Sequence, residues 1–142
     1  MADDREWVWS QEQTIPSDTS AGRQLLDALL SELTRQEWGE QDTFGIHLAV
    51  EEALVNAIKH GNGGDPAKSV RMVSKVSPSH VRVEITDEGQ GFDPAAVPDP
   101  TEDENLEAPS GRGLMLMNCF MSHVEFNNVG NHVVMEKARS EE

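Results

Sequence analysis

The sequence has little cysteine, few cations and no long apolar stretch. Its one cysteine, Cys119, excludes an internal disulfide and any metal site built from several cysteines. No segment approaches the roughly 20 consecutive apolar residues of a membrane span. The stretch from Met1 to Ser10 is charged and lacks the apolar core of a secretory signal. These absences predict a cytoplasmic protein in a reducing compartment.

Cations are outnumbered by acids. Lysine and arginine number 11 against 26 aspartates and glutamates, which gives a formal net charge of −15 over 142 residues. Nucleic acid phosphates are neutralised by clustered Lys and Arg, and an anionic membrane surface likewise attracts cations. The composition therefore argues against both partners and is compatible with basic protein partners. The length predicts a single domain over residues 1–142.

Apolar periodicity and turn residues predict the elements in order. A strand at 5–15 ends at Pro16, a leucine-rich helix is capped by Ser17 or Asp18, and a second helix is capped by Asp42 or Thr43 and runs to about His60. Strands at 68–76 and 80–87 form a predicted antiparallel hairpin, and a helix at 114–122 precedes strands at 123–128 and 132–138. The predicted fold is α+β, a two-layer sandwich with a mostly antiparallel mixed sheet and helices on one face.

The second helix carries a polar stripe on a largely apolar surface. At about 100° per residue, Asn56 lies roughly 40° from Glu52, Lys59 about 20° to the other side and His60 roughly 80° round. A helix that is apolar over most of its circumference is mostly buried, so these polar side chains line a cleft, or else they form a solvated face. The stripe leads directly into the glycine-rich stop that begins at Gly61, which favours the cleft.

A carboxylate follows the strand predicted at 80–87. Because strand side chains alternate, Asp87 points to the same face as the apolar Val83 and Ile85, and a carboxylate there needs a donor or a wet pocket. Gly89 and Gly91 come next, and glycines allow close approach of the backbone to a ligand. The alternative is an aspartate that only caps a turn.

A second glycine pair opens the predicted short helix, in the run Ser110-Gly111-Arg112-Gly113-Leu114. The free N–H groups and positive end of a helix N-terminus favour anions, although this motif alone is weak. The connection over residues 88–113, which has a glycine motif at each end, is longer than ordinary loops and typical of a lid or a binding loop. The alternative is a disordered acidic insertion.

These three motifs, in this order, resemble the nucleotide-binding domain of the GHKL ATPases, which include gyrase, heat-shock chaperones and histidine kinases. Glu52 to Asn56 is similar to the N box, Asp87 to Gly91 to the first glycine box, and Gly111 to Gly113 to the second. The connection at about 92–110 occupies the position of the ATP lid.

Within that superfamily, the run from Val50 to Gly61 and the run from Ser110 to Leu114 resemble the anti-sigma-factor serine/threonine kinases of bacterial partner-switching systems. The resemblance implies that Asp87 accepts the adenine amine, that Asn56 coordinates Mg²⁺, and that Glu52 acts as general base. It implies nucleotide binding by Asn56, Lys59, His60, Gly61, Asp87, Gly89, Gly91, Ser110, Gly111, Arg112, Gly113 and Leu114. The chain departs from the pattern of this family in two places: Pro109 stands where some members have an arginine near the phosphates, and residues 123–139 contain no threonine.

The function that the resemblance implies is ATP-dependent phosphorylation of a small anti-sigma-factor antagonist, with a sigma factor or similar regulator as second partner. It also implies a homodimer, whose candidate interface contains Trp7, Trp9, Leu26 and Leu30, residues that could instead pack on the sheet. Two other functions stay open. One is a non-catalytic ATP-binding module that sequesters a regulator, and the other is an ATPase whose acceptor is water.

Overall fold

A computed structural model describes residues 7–89, 120–127 and 131–140. In these residues an antiparallel sheet has the order β1-β2-β3-β5-β4. The strands are β1 (Trp9–Pro16), β2 (Ser69–Val76), β3 (His80–Thr86), β4 (His123–Phe126) and β5 (His132–Ala138), and the helices are α1 (Thr19–Arg35) and α2 (Glu40–Val55). A π-helical turn, Asn56–Gly61, continues α2.

The helices and one face of the sheet enclose the core. Alternate residues of β2 and β3, such as Met72 and Val83, are fully buried together with Leu29 and Leu33 of α1 and Ile46 of α2. The predicted α+β sandwich with helices on one face is confirmed. Every pairing between described strands is antiparallel, so the described sheet contains none of the mixed pairing that the sequence predicted.

The predicted cap of α1 is confirmed, because Asp18 is its N-cap and accepts a hydrogen bond from the backbone N–H of Ser20 at 2.8 Å. The predicted cap of α2 is wrong. That helix begins at Glu40, with Gly39 as its N-cap and no side-chain cap, instead of after Asp42 or Thr43. Asp42 does not cap the helix, because its carboxylate bonds instead to a residue that is distant in the sequence.

The partner of Asp42 is Ser140. The Asp42 carboxylate, on a residue that is 7% exposed, accepts the Ser140 backbone N–H at 2.8 Å and its hydroxyl at 2.6 Å. Burial pushes the pKa of Asp42 upward, but the two bonds from Ser140 and the charges of Lys137 and Arg139 outweigh it, so the pKa lies below its ordinary value. The contact fastens the described end of the chain to the start of α2.

Other boundaries differ slightly from prediction. The first strand begins at Trp9 and β4 ends at Phe126, and the helix predicted at 114–122 ends at Phe120, its remaining residues 114–119 lying outside the described ones. Of the predicted dimer contacts, Leu26 is 1% exposed and lies in the core, whereas Leu30 and Trp9 are partly buried against it. Leu26 therefore packs within the protomer, and dimerisation stays a prediction.

Candidate functional site

The end of the π-helical turn touches the end of β3. A Cβ atom built on Gly61 would lie 2.5 Å from the carboxyl carbon of Asp87, and one built on Gly89 would overlap the carbonyl oxygen of Gly61. Only residues without a side chain allow this approach. The structure thus brings together three residues that the sequence analysis selected from two separate motifs, and we call them the Gly61–Asp87–Gly89 corner.

The carboxylate in this corner is half-buried. Burial raises the pKa of Asp87, and the backbone N–H of Gly89, which donates to Oδ1 at 2.8 Å, and the charge of Lys68 lower it in part. Among the described residues, Gly89 is the only hydrogen-bond donor to this carboxylate. A half-buried acceptor with spare capacity is suited to a ligand that presents a fixed N–H group.

A second unsatisfied acceptor lies at the start of the π-helical turn. The side-chain oxygen of Asn56 is buried and has no hydrogen-bond partner. A buried acceptor without a donor is costly, and in native proteins such an atom usually meets water, an ion or a ligand. Glu52 is half-buried four residues earlier, so it lies on the same helix about one turn away.

The rest of the predicted polar stripe is placed differently. Lys59 and His60 are exposed, and they lie inside the π-helical turn, where the spacing of about 100° per residue no longer applies. The lysine whose charge acts on Asp87 is Lys68, the residue immediately before β2. Lys68 could not be predicted as a site residue, because nothing in the local sequence pattern distinguishes it from other lysines.

The remaining predicted site residues fall outside the described part of the chain. These are Gly91, Ser110, Gly111, Arg112, Gly113 and Leu114. Their predicted roles therefore stay predictions.

Two asparagines at the corner were missed by the sequence analysis. The Asn62 side-chain oxygen accepts the backbone N–H of Glu88 at 2.7 Å, and the Asn131 carbonyl accepts the backbone N–H of Asp87 at 2.9 Å. The Asn131 side chain also donates to the Gly89 carbonyl at 3.2 Å. Both asparagines hold the turn that carries the carboxylate, and their partners are too distant in sequence for a local pattern to indicate them.

The π-helical turn is itself a functional indicator. The N–H of Asn62 bonds to the carbonyl of Ala57, five residues back, at 2.9 Å. Single π turns inside α-helices occur frequently at functional sites. Here the turn begins at Asn56 and ends at Gly61, so it connects the unsatisfied amide oxygen to the Gly61–Asp87–Gly89 corner.

Comparison with known proteins shows the family of the chain. The family described as "Histidine kinase-like ATPase domain" matches residues 15–137. Similar proteins include "Serine-protein kinase RsbW" of Oceanobacillus iheyensis, 28% identical over 68% of this chain and 66% of that one, and "Anti-sigma F factor" of Clostridium perfringens, 31% identical over 79% and 76%. "Anti-sigma F factor" of Bacillus cytotoxicus is 36% identical over 70% of this chain and 63% of that protein.

The fold also has a solved relative. A crystal structure of the RsbU and RsbW domains of a Mycobacterium tuberculosis protein superposes with a TM-score of 0.60 at 17% identity. The match covers 93% of this chain but 32% of the solved one, and the stretches matched in the Oceanobacillus and Bacillus proteins are just under two thirds of their lengths. Neither helix in the described ranges combines the length and apolar character needed to traverse a bilayer.

Proposed function

The chain belongs to the histidine kinase-like ATPase domain family, and from that premise we propose that it is an ATP-dependent serine/threonine protein kinase of the anti-sigma type. Its substrate in this proposal is a serine or threonine of a small antagonist protein. Its second partner is a sigma factor or similar regulator, which it sequesters in the cytoplasm as a homodimer. The names of its relatives, a serine-protein kinase and anti-sigma F factors, support this proposal.

The observation that carries the proposal is the carboxylate in the Gly61–Asp87–Gly89 corner. In ATP the adenine amine is a fixed N–H donor, and a half-buried carboxylate with one backbone donor can accept it. The two glycines keep the carboxylate accessible where any side chain would collide with it. We assign Asp87 to recognition of adenine.

The Asn56 side chain suits a hard cation. Mg²⁺ prefers oxygen ligands and usually binds through few protein groups together with substrate phosphates. The unpartnered Asn56 oxygen is one such ligand, and the described residues hold no cluster of three or more His, Cys, Asp and Glu that could bind a metal on its own. Bound with ATP, the ion would neutralise phosphate charge.

Glu52 is the candidate general base. A serine hydroxyl attacks a phosphoryl group more readily when a nearby carboxylate accepts its proton, and such assistance is typically worth about 10²–10⁴-fold. The position of Glu52, about one helical turn before the proposed Mg²⁺ ligand Asn56, supports this role. Lys59, His60 and Gly61 complete the proposed nucleotide contacts on this segment.

The phosphate contacts of the second glycine motif are part of the same proposal. Backbone N–H groups of Gly111 to Gly113, flanked by Ser110 and Leu114, would bind the phosphates as a lid at about 92–110 closes, with Gly91 at its start. The whole chain would then act as a single ATP-binding kinase domain.

The test is transfer of labelled γ-phosphate from ATP, with Mg²⁺, to a purified anti-sigma-factor antagonist protein. Glu52→Gln should bind ATP within about threefold of wild type and transfer phosphate about 10²–10⁴-fold more slowly. The matched control is Glu51→Gln, which changes the neighbouring half-buried glutamate. The Glu51 Oε1 atom lies 3.7 Å from Nε2 of His47, and the substitution should leave phosphate transfer unchanged.

The outcomes separate the candidate functions. Transfer by Glu52→Gln at the wild-type rate refutes the assignment of the base. ATP binding by wild type without transfer supports the non-catalytic module, and label that appears only as free phosphate supports an ATPase. Absence of any ATP binding refutes the nucleotide site altogether.

A further inference from the structure

Asn62 is a buried polar side chain with every hydrogen-bonding group satisfied, and it immediately follows the π-helical turn. It is 3% exposed. Its amide nitrogen donates to the Ser17 hydroxyl and to the Ser69 carbonyl, both at 2.9 Å, and its oxygen accepts from the Glu88 backbone N–H at 2.7 Å. One side chain therefore joins the end of the π turn to the segment before α1, to β2 and to the turn after β3.

The contacts around Asn62 form two separable halves. On the donor side, the Ser17 hydroxyl that accepts from Asn62 donates in turn to the Lys68 carbonyl at 2.8 Å. On the acceptor side there is one bond, from Glu88. The acceptor side reaches the candidate site, because Glu88 lies between Asp87 and Gly89.

The acceptor bond fixes one of the two peptide groups that flank Asp87. The peptide before it is held by the bond from the Asp87 N–H to the Asn131 carbonyl, and the peptide after it by the bond from the Glu88 N–H to Asn62. With both peptides fixed, the backbone at Asp87 and the direction of its Cα–Cβ bond are fixed, and the Gly89 N–H then holds Oδ1 of the carboxylate. Without Asn62 only the first peptide is held.

From this geometry we infer that Asn62 is a positioning residue that sets how strictly the site selects the adenine amine, acting on Asp87 through the Glu88 peptide. The inference rests on the proposed nucleotide function. Asn62 is not a ligand contact in this inference, since it is buried and its two donors and its oxygen all bond to the protein.

The test compares ATP with purine riboside triphosphate, which carries hydrogen in place of the amine. A hydrogen bond to a charged carboxylate predicts that wild type prefers ATP by about 10–100-fold in Kd. Asn62→Ala should reduce that preference to about threefold or less, while its Kd for the purine analogue stays within about threefold of wild type. Asp87→Ala supplies the reference for complete loss of the preference.

The ratio of the two Kd values separates an effect on the position of Asp87 from an effect on the stability of the fold. Unfolded protein binds neither nucleotide, so a lower folded fraction weakens both equally and cancels in the ratio. The matched control is Ser17→Ala, which removes a partner from the donor side of Asn62 and leaves the Glu88 bond intact. It should lower the melting temperature and keep the ATP preference of wild type.

Hydrogen exchange gives a readout that needs no nucleotide. The Glu88 amide should exchange at least about tenfold faster in Asn62→Ala than in wild type, and within about threefold of wild type in Ser17→Ala. If Asn62→Ala does not fold, Asn62→Ser keeps a polar group in the pocket but is too short to reach the Glu88 N–H, and it should lose the ATP preference in the same way.

The possible results distinguish this inference from the proposed function. Suppose that wild type prefers ATP, that Asp87→Ala removes this preference and that Asn62→Ala retains it. That result overturns the positioning role of Asn62 and leaves the proposed function standing. Unchanged exchange of the Glu88 amide in Asn62→Ala overturns it as well. Wild type that binds neither nucleotide overturns the proposed function, and with it this inference.

Discussion

Gly61→Ala tests the geometry of the candidate site directly. The added Cβ would lie 2.5 Å from the Asp87 carboxyl carbon, and ordinary contact begins at 3.4 Å, so the carboxylate has to move by at least 0.9 Å. The backbone at Gly61 offers no reason for glycine, since the positive φ angles in this segment belong to Gly63 and Gly64. The effect of the substitution is therefore a displacement of Asp87.

The size of that displacement determines how much ATP affinity we expect Gly61→Ala to lose. A shift of about 1 Å breaks the proposed hydrogen bond between the adenine amine and the carboxylate, and loss of a hydrogen bond to a charged group costs about 10–100-fold in Kd. We therefore expect the Kd of Gly61→Ala for ATP to rise about 10–100-fold. Its stability should change by less than about 1 kcal/mol, because replacing glycine with alanine at a compatible backbone position stabilises by about 0.4–1 kcal/mol and offsets part of the strain.

The assay is calorimetric titration with ATP and Mg²⁺, together with thermal unfolding followed by circular dichroism. The matched control is Gly63→Ala. Gly63 has a φ of 64° and no atom within 4 Å of its added Cβ, so the substitution strains the backbone and contacts nothing. It should destabilise the protein by about 1–2 kcal/mol and leave the Kd within about twofold of wild type.

Two results would refute this reasoning. ATP binding by folded Gly61→Ala within threefold of wild type would mean that the carboxylate is not a nucleotide contact. Equal weakening by Gly61→Ala and Gly63→Ala would mean that binding responds to general loosening of the segment.

Two predictions concern stability and pH. Because burial raises the pKa of Asp87, its contribution to the free energy of unfolding is full in acid and is lost as pH rises through the native pKa. Asp87→Asn should therefore be more stable than wild type at neutral pH. A lower free energy of unfolding for Asp87→Asn than for wild type in urea titrations would contradict this. The pKa shift of Asp42 has the opposite sign. Because its native pKa is lowered, its contribution to the free energy of unfolding is present above the unfolded pKa and is lost as pH falls through the native pKa. Asp42→Asn should lose about 1.5–3 kcal/mol at neutral pH, with a smaller difference from wild type in acid, and equal differences at both pH values would exclude the charged bonds to Ser140 as the cause.

Those parts of the fold that depend on local chemistry could be predicted from the sequence. The hairpin between β2 and β3 follows from alternating apolar residues around Ser77-Pro78-Ser79, and Asp18 caps α1 through a bond to a residue two positions away. Asp42 shows where such reasoning ends. It has the chemistry of a cap, but its carboxylate binds Ser140, 98 residues later, and the helix begins without it.

The candidate site divides in the same way. Asp87, Gly89 and Gly61 were predicted because an aspartate on the apolar face of a strand, or a glycine at the end of a strand or helix, indicates a binding site. The structure places these three residues in contact. The helical angle that placed Lys59 and His60 beside Asn56 fails because the backbone changes to a π turn at Asn56. No residue in Asn56–Gly61 forbids an ordinary α-helix, so local pattern could not indicate the change.

The π turn depends on contacts that lie far away in sequence. Its last residue contacts Asp87, and the following Asn62 is bonded to Ser69 and Glu88. A π turn is rarer than an α turn, so the surrounding structure has to favour it, and these long-range bonds act at the end where the two helix types would diverge. Asn62 supplies the i→i+5 bond that ends the π turn through its backbone N–H, and through its side chain it bonds to the Glu88 peptide beside Asp87. The end of the π turn and the turn that carries Asp87 are therefore joined by one residue, which a pattern confined to either segment could not indicate.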